Sequence, residues 1–132
     1  MSDDRLRQAI IGYLKEHPAV RAVLGGRIYP LVLPQNLDTY PAAVVIRVDA
    51  TRSHTKLGPS GLAEARIQCS VWSPRLLDSV SGADAIREAL DGYRGEMNGV
   101  SIGNIRSDVE QDFYEPDVGL YQVVTDYMVS YE

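Results

Sequence analysis

The chain is short of the residues that most site chemistry requires. It carries one cysteine, Cys69, and two histidines, His17 and His54, far apart among 132 residues. An internal disulfide and a multi-cysteine zinc site are thereby excluded, and no pair of these residues has the close spacing of a metal centre. Lysine is rarer still relative to arginine: Lys15 and Lys56 stand against eleven arginines. One Phe and one Trp accompany eight tyrosines. No apolar run approaches the roughly 20 residues that cross a bilayer. The opening Met1-Ser2-Asp3-Asp4 is acidic and lacks a secretory signal's basic and apolar regions. A formal charge of -5 argues against a dedicated nucleic-acid binder, which needs a basic face for phosphates. No G-x-S-x-G elbow, phosphate loop or dinucleotide fingerprint occurs, and Gly25-Gly26 follows a helical pattern rather than a strand.

What is present describes a small, acidic, soluble domain made inside a cell, with 45% hydrophobic and 23% charged residues. A chain of this length buries roughly 65–70% of its unfolded surface and needs no staple. A single domain over residues 1–132 is expected. The Arg and Tyr bias suits protein–protein contacts, where a guanidinium forks onto carboxylates and a phenol covers apolar area with a polar tip. A high-GC genome would give the Arg excess without any function.

Ser2 is a candidate cap for a first helix, with Leu6, Ile10, Tyr13 and Leu14 on one stripe. Pro18 ends it and opens a short second helix closed by Gly25-Gly26. Arg27 to Leu33, broken by Pro30, reads as an edge strand or extended arm. Ala42 to Asp49 and Leu62 to Trp72 read as strands. In the second, Ala63, Ala65, Ile67, Cys69 and Val71 take one face and charged or polar residues the other. The polar stretch between them predicts a long hairpin with a mobile tip. Ser73-Pro74 marks the start of a major helix carrying Val80, Ala83, Ile86 and Leu90. Met97 to Val109 predicts a further strand, Asp108 to Asp117 an acidic loop, and Leu120 to Tyr131 a last alternating strand. The fold class is α+β: a mainly antiparallel sheet of four to five strands, with the N-terminal helix, a short second helix and one major helix packed on it.

Cys69, on an apolar strand face, reads as core, and His17 as the polar end of the first helix. Asp108, Glu110 and Asp112 would share one face if extended, with Glu115 and Asp117 close behind. Clustered carboxylates suit divalent metal binding or acid–base work, although the EF-hand's glycine-bearing register is absent; a solvated acidic loop is the plainer reading. A third reading is electrostatic docking. Arg52, His54 and Lys56 alternate at the hairpin tip and complement the acidic stretch, so tip and loop would meet between head-to-tail copies.

Several segments, in order, resemble the small tail-completion (tail-terminator) proteins of long-tailed bacteriophages and prophages. They are Gly25-Gly26-Arg27-Ile28-Tyr29-Pro30, Tyr40-Pro41-Ala42-Ala43-Val44-Val45, and Gly58-Pro59-Ser60-Gly61-Leu62-Ala63 running into Arg66-Ile67-Gln68. Trp72, Ala89-Leu90-Asp91-Gly92-Tyr93-Arg94-Gly95 and, most specifically, Tyr114-Glu115-Pro116-Asp117-Val118-Gly119-Leu120-Tyr121 follow. The resemblance implies a structural virion subunit made in the host bacterial cytoplasm, with no membrane association, cofactor, metal or catalytic residue. Copies would form a ring, commonly of six, at the head-proximal end of the tail tube. That homo-oligomer would stop tube growth, contact the major tail tube protein and present a surface to the head-side connector or neck protein. DNA would pass through without sequence-specific binding. Arg52, His54, Lys56, Asp108, Glu110, Asp112, Tyr114 and Glu115 are the candidate contacts, with Tyr114 as the anchor. A head-side neck adaptor is the nearest alternative. A small metal-dependent enzyme using the Asp108–Asp117 carboxylates, and a regulatory binding module acting as monomer or dimer, are the others.

Overall fold

A computed structural model describes residues 4–55 and 58–132, with residues 49–55 and 58–62 described as backbone alone. Two helices lead. α1 (Arg5–Glu16) buries Leu6, Ala9, Ile10 and Leu14 along the predicted stripe. Ser2 lies outside the described residues; Asp4 stands at the N-cap and pairs with Arg7 at 2.8 Å instead. α2 (Pro18–Leu24) starts on its proline, capped by His17, whose Nδ1 accepts from the Ala19 N–H at 3.3 Å. Gly25 closes it at φ 57°, a left-handed conformation that a side chain would strain.

The strands are β1 (Ile28–Pro30), β2 (Ala42–Thr55), β3 (Gly58–Ser73), β4 (Gly95–Met97), β5 (Val100–Glu115) and β6 (Leu120–Tyr131). They form one sheet in the order β1-β2-β3-β6-β5-β4. The expected α+β fold with a mainly antiparallel sheet is present, but among the described residues the sheet has six strands rather than four to five, and its one parallel pair is β1 on β2. β1 runs parallel to β2, and its proline sits at an outer edge where no ladder hydrogen bond is lost. The expected Met97–Val109 strand is divided by a turn at Asn98-Gly99, where φ is positive at both residues. Its second part continues through the expected acidic loop to Glu115, leaving only residues 116–119 as a turn.

β2–β3 and β5–β6 are therefore two long hairpins, joined side by side through β3 and β6. Ala63 pairs with Tyr131 at one end of that seam, and Ser73 with Tyr121 at the other. α3 (Leu76–Leu90) crosses one face. Its start differs from expectation: β3 runs through Ser73, whose Oγ accepts from the Arg75 N–H, and Arg75 is the N-cap. Ala83, Ile86 and Leu90 share one buried cluster with Ile67, Cys69 and Val71 of β3 and with Val123, Tyr127 and Val129 of β6, the two strands that α3 contacts. Gly82 lets the helix sit close, because a Cβ there would come within 2.6 Å of Val71 Cγ1. All three helices contribute to this core, and among the described residues the opposite sheet face carries no helix.

Candidate functional site

The sequence-predicted contact residues fall on the two hairpins. Arg52 lies opposite Ala63 and His54 opposite Pro59 near the β2–β3 tip; Lys56 lies outside the described residues. Asp108, Glu110, Asp112, Tyr114 and Glu115 lie along β5 toward the β5–β6 turn. Since β3 and β6 are antiparallel, the two tips point to opposite ends of the sheet. One copy does not bring its basic tip and acidic stretch together.

The acidic stretch is a strand with a defect. Ser107 pairs with Tyr127 and Glu110 with Thr125, so β5 carries one extra residue across Asp108-Val109. The bulge separates carboxylates expected to share a face. Asp108 turns to the helix-free side and accepts from Arg66 Nη1 at 3.0 Å, while Asp126 accepts from the same nitrogen at 3.1 Å. Asp126 also accepts from Gln68 Nε2 at 3.1 Å. Glu110 turns to the helix side, where it accepts from Arg87 of α3 at 2.9 Å and from the Thr125 hydroxyl at 3.3 Å. Asp112 follows on that side, opposite Val123. Tyr114 stacks on Tyr121 across the ladder with centroids 4.8 Å apart, yet remains 52% exposed. Glu115 closes the turn, its carbonyl accepting from the Gly119 N–H at 2.9 Å.

These ion pairs shift the guanidinium groups in the expected direction. Arg66 is raised above the ordinary arginine value, first by its hydrogen bond to Asp108 and then by Asp126, against a desolvation cost. For Arg87, partial burial lowers the value, and the charges of Glu110 and Asp84 more than offset it.

The shared-face carboxylate site does not form. Among the described residues, no three of His, Cys, Asp and Glu converge to hold a metal ion. Cys69 is fully buried, and burial, with Asp126 nearby, pushes its thiol up to about 12, so little nucleophilic thiolate exists at neutral pH. His17 is used in capping α2.

Sequence reasoning missed a groove on the helix-free face. The segment after β1 folds over the sheet, and Leu31, Val32 and Tyr40 with Val44, Trp72, Val118 and Leu120 enclose about 450 Å³. Leu31, Val32 and Val118 are 59%, 67% and 62% exposed. Three prolines, Pro30, Pro34 and Pro41, bracket the segment and were the only sequence signal that it leaves the ladder.

A chain from a solved structure described as the virion of a native gene transfer agent particle superposes with a TM-score of 0.81 at 15% identity. The match covers 96% of this chain and 94% of that one, which is a likeness of fold. No curated protein matches the sequence. A family model described as tail completion protein gp17 matches residues 8–132, and over that span the chain belongs to this family of structural virion proteins.

Proposed function

We propose that copies of this protein form a ring of six on the head-proximal end of a tail tube. There they halt tube polymerisation and provide the surface on which the head joins. The observation that carries the reading is the family match over residues 8–132. The geometry is consistent with it: two long hairpins project toward opposite ends of one sheet, so a subunit has two unlike ends. A ring built from such subunits has chemically different rims. One rim suits the last layer of tube; the other does not repeat that layer, so growth stops.

The contacts of this reading are Arg52, His54 and Lys56 on one hairpin and Asp108, Glu110, Asp112, Tyr114 and Glu115 on the other. Partners would be further copies, the major tail tube protein and a head-side connector. DNA would thread the bore without base recognition, which an acidic chain favours because its surface does not grip phosphates. The work is structural rather than catalytic, with one domain spanning residues 1–132.

Electron microscopy of particles made without the protein tests the function. Overlong or headless tails are expected. Leaking heads beside normal free tails of set length would instead identify a head-side adaptor.

A further inference from the structure

Both outer edges of the sheet are only partly covered. On one side β1 ends at Pro30 opposite Val45, so β2 continues through residues 46–55 with no described strand beyond it. On the other side β4 covers β5 only from Val100, opposite Met97, to Ile102, opposite Gly95, and the segment between α3 and β4 reaches only a little further along β5. Gly92 N–H donates to the Ile105 carbonyl at 2.7 Å, and the Ser107 N–H donates to Asp91 at 2.9 Å. From there to Glu115 the edge is open among the described residues.

The phase of that open edge follows from those two bonds. Ile105 and Ser107 point their backbone groups away from β6, so odd-numbered residues face outward up to the bulge. The extra residue shifts the phase by one. Beyond it, Glu110, Asp112 and Tyr114 turn their N–H and C=O groups to the open side. On β2 the same reasoning holds. Ala43 N–H donates to Arg27 and the Val45 carbonyl accepts from Leu31, and the irregularity between Arg47 and Asp49 then turns Ala50 and Arg52 outward.

The two edges match in direction and in charge. In copies standing side by side in one orientation, β2 and the neighbour's β5 are antiparallel. The β5 edge carries Asp108, Glu110, Asp112 and Glu115; the β2 edge carries Arg47, Arg52 and His54 against Asp49 alone. We infer that copies join by strand addition, the β2 edge of one completing the ladder of the next copy's β5 edge, so that the sheet runs on from subunit to subunit. This rests on the ring reading and specifies its joint.

The joint also sets a tilt. From the β2 of one copy to the β2 of the next is four strand spacings sideways, about 19 Å, and, with the two open edges in register, about six residues along the strands, about 20 Å. Strands would therefore lean roughly 45° from the ring axis, at the upper end of the range for closed β-barrels.

The test uses purified full-length protein added to assembled tail tubes, with capped tube ends counted by electron microscopy. Asp112→Pro removes an outward N–H that β6 does not use, a position that edge strands tolerate. It is expected to keep the wild-type circular dichroism and reduce capped ends at least tenfold. Asp112→Lys is expected to do the same, and Arg52→Glu in the same chain to restore capping, because every copy carries both edges. If wild type caps tubes and both Asp112 variants cap equally well, or Arg52→Glu restores nothing, strand addition is overturned and the ring stands. If wild type never caps a tube, the ring reading itself fails and its joint with it.

Discussion

At the scale of single residues, three buried positions decide how the core responds to change. Gly82 in mid-helix costs about 1 kcal/mol of helix propensity relative to alanine. The added methyl of Gly82→Ala would nonetheless press within 2.6 Å of Val71 Cγ1. Overpacking outweighs propensity here, and a loss of about 1–3 kcal/mol is expected in urea unfolding, partly recovered in the double variant with Val71→Ala. Tyr127 is buried with its hydroxyl lacking a protein partner among the described residues. Tyr127→Phe is therefore expected to leave the melting temperature unchanged or slightly higher, whereas a well-bonded tyrosine would lose about 1 kcal/mol.

Cys69 gives a pH dependence with a definite sign. Its thiol is pushed from an ordinary 9.0 up to about 12 by burial, with a smaller push from Asp126. Between those values the unfolded chain has lost this proton and the folded chain retains it. Unfolding is then favoured as pH rises, by up to about 1.4 kcal/mol per pH unit. Below about pH 9 both states hold the proton and the contribution is flat. Denaturation midpoints taken from pH 8 to 11 should fall, and Cys69→Ala should remove that part of the slope. Tyr127, raised by burial and then by the neighbouring Cys69, adds a fall of the same sign above pH 10.

At the scale of elements, the two hairpins differ in how their outer strands are held. Native-state hydrogen exchange on the free protein should show β3 and β6 as the most protected strands, since each is paired on both sides. Along the far part of β5 protection should alternate, with Glu110, Asp112 and Tyr114 exchanging fast and Gln111 and Phe113 slowly. A uniform rate across these residues would contradict the phase assigned to the bulge. Much of this architecture was legible in the sequence. The alternation of β3 and β6 and the helical stripes of α1 and α3 arise from burial on one face, which period alone reports. Two features were not legible. β1 and β4 are too short to show a period, so the sheet was expected to be narrower than it is. The run Asp108-Val109-Glu110-Gln111-Asp112-Phe113 alternates without a break in sequence, and nothing in that pattern marks the bulge that sends Asp108 and Glu110 to opposite faces. Bulges depend on how the partner strand is matched, which is information from elsewhere in the chain.

At the scale of the whole molecule, the proposed joint assigns the exposed edge charges to association more than to stability. The bridges of Arg66 and Arg87 link strands and helix within the subunit and are partly open to solvent. In the proposed joint, the complementary edge charges would act between copies. Raising sodium chloride from 50 mM to 0.5 M is therefore expected to reduce tube capping several-fold while leaving the thermal midpoint of the isolated subunit within a few degrees. Capping indifferent to salt would move the weight of the joint from charge to the apolar groove beside Trp72. That groove and the hairpin tips were not equally visible in advance. Charge patterns announce themselves along a strand, while a groove needs the segment at Leu31–Tyr40 to be folded back over the sheet first.

The irregularity at Asp108-Val109 fixes which amides look outward and, in the proposed joint, the permitted alignments of one subunit on the next. Such alignments come in steps of two residues, about 7 Å. A circuit in which one seam slipped by a step would arrive that far from its starting point and stay open unless every other seam slipped too. In the proposed ring a single inserted residue would thus serve as a gauge mark, making the circumference a whole-number quantity rather than an adjustable one.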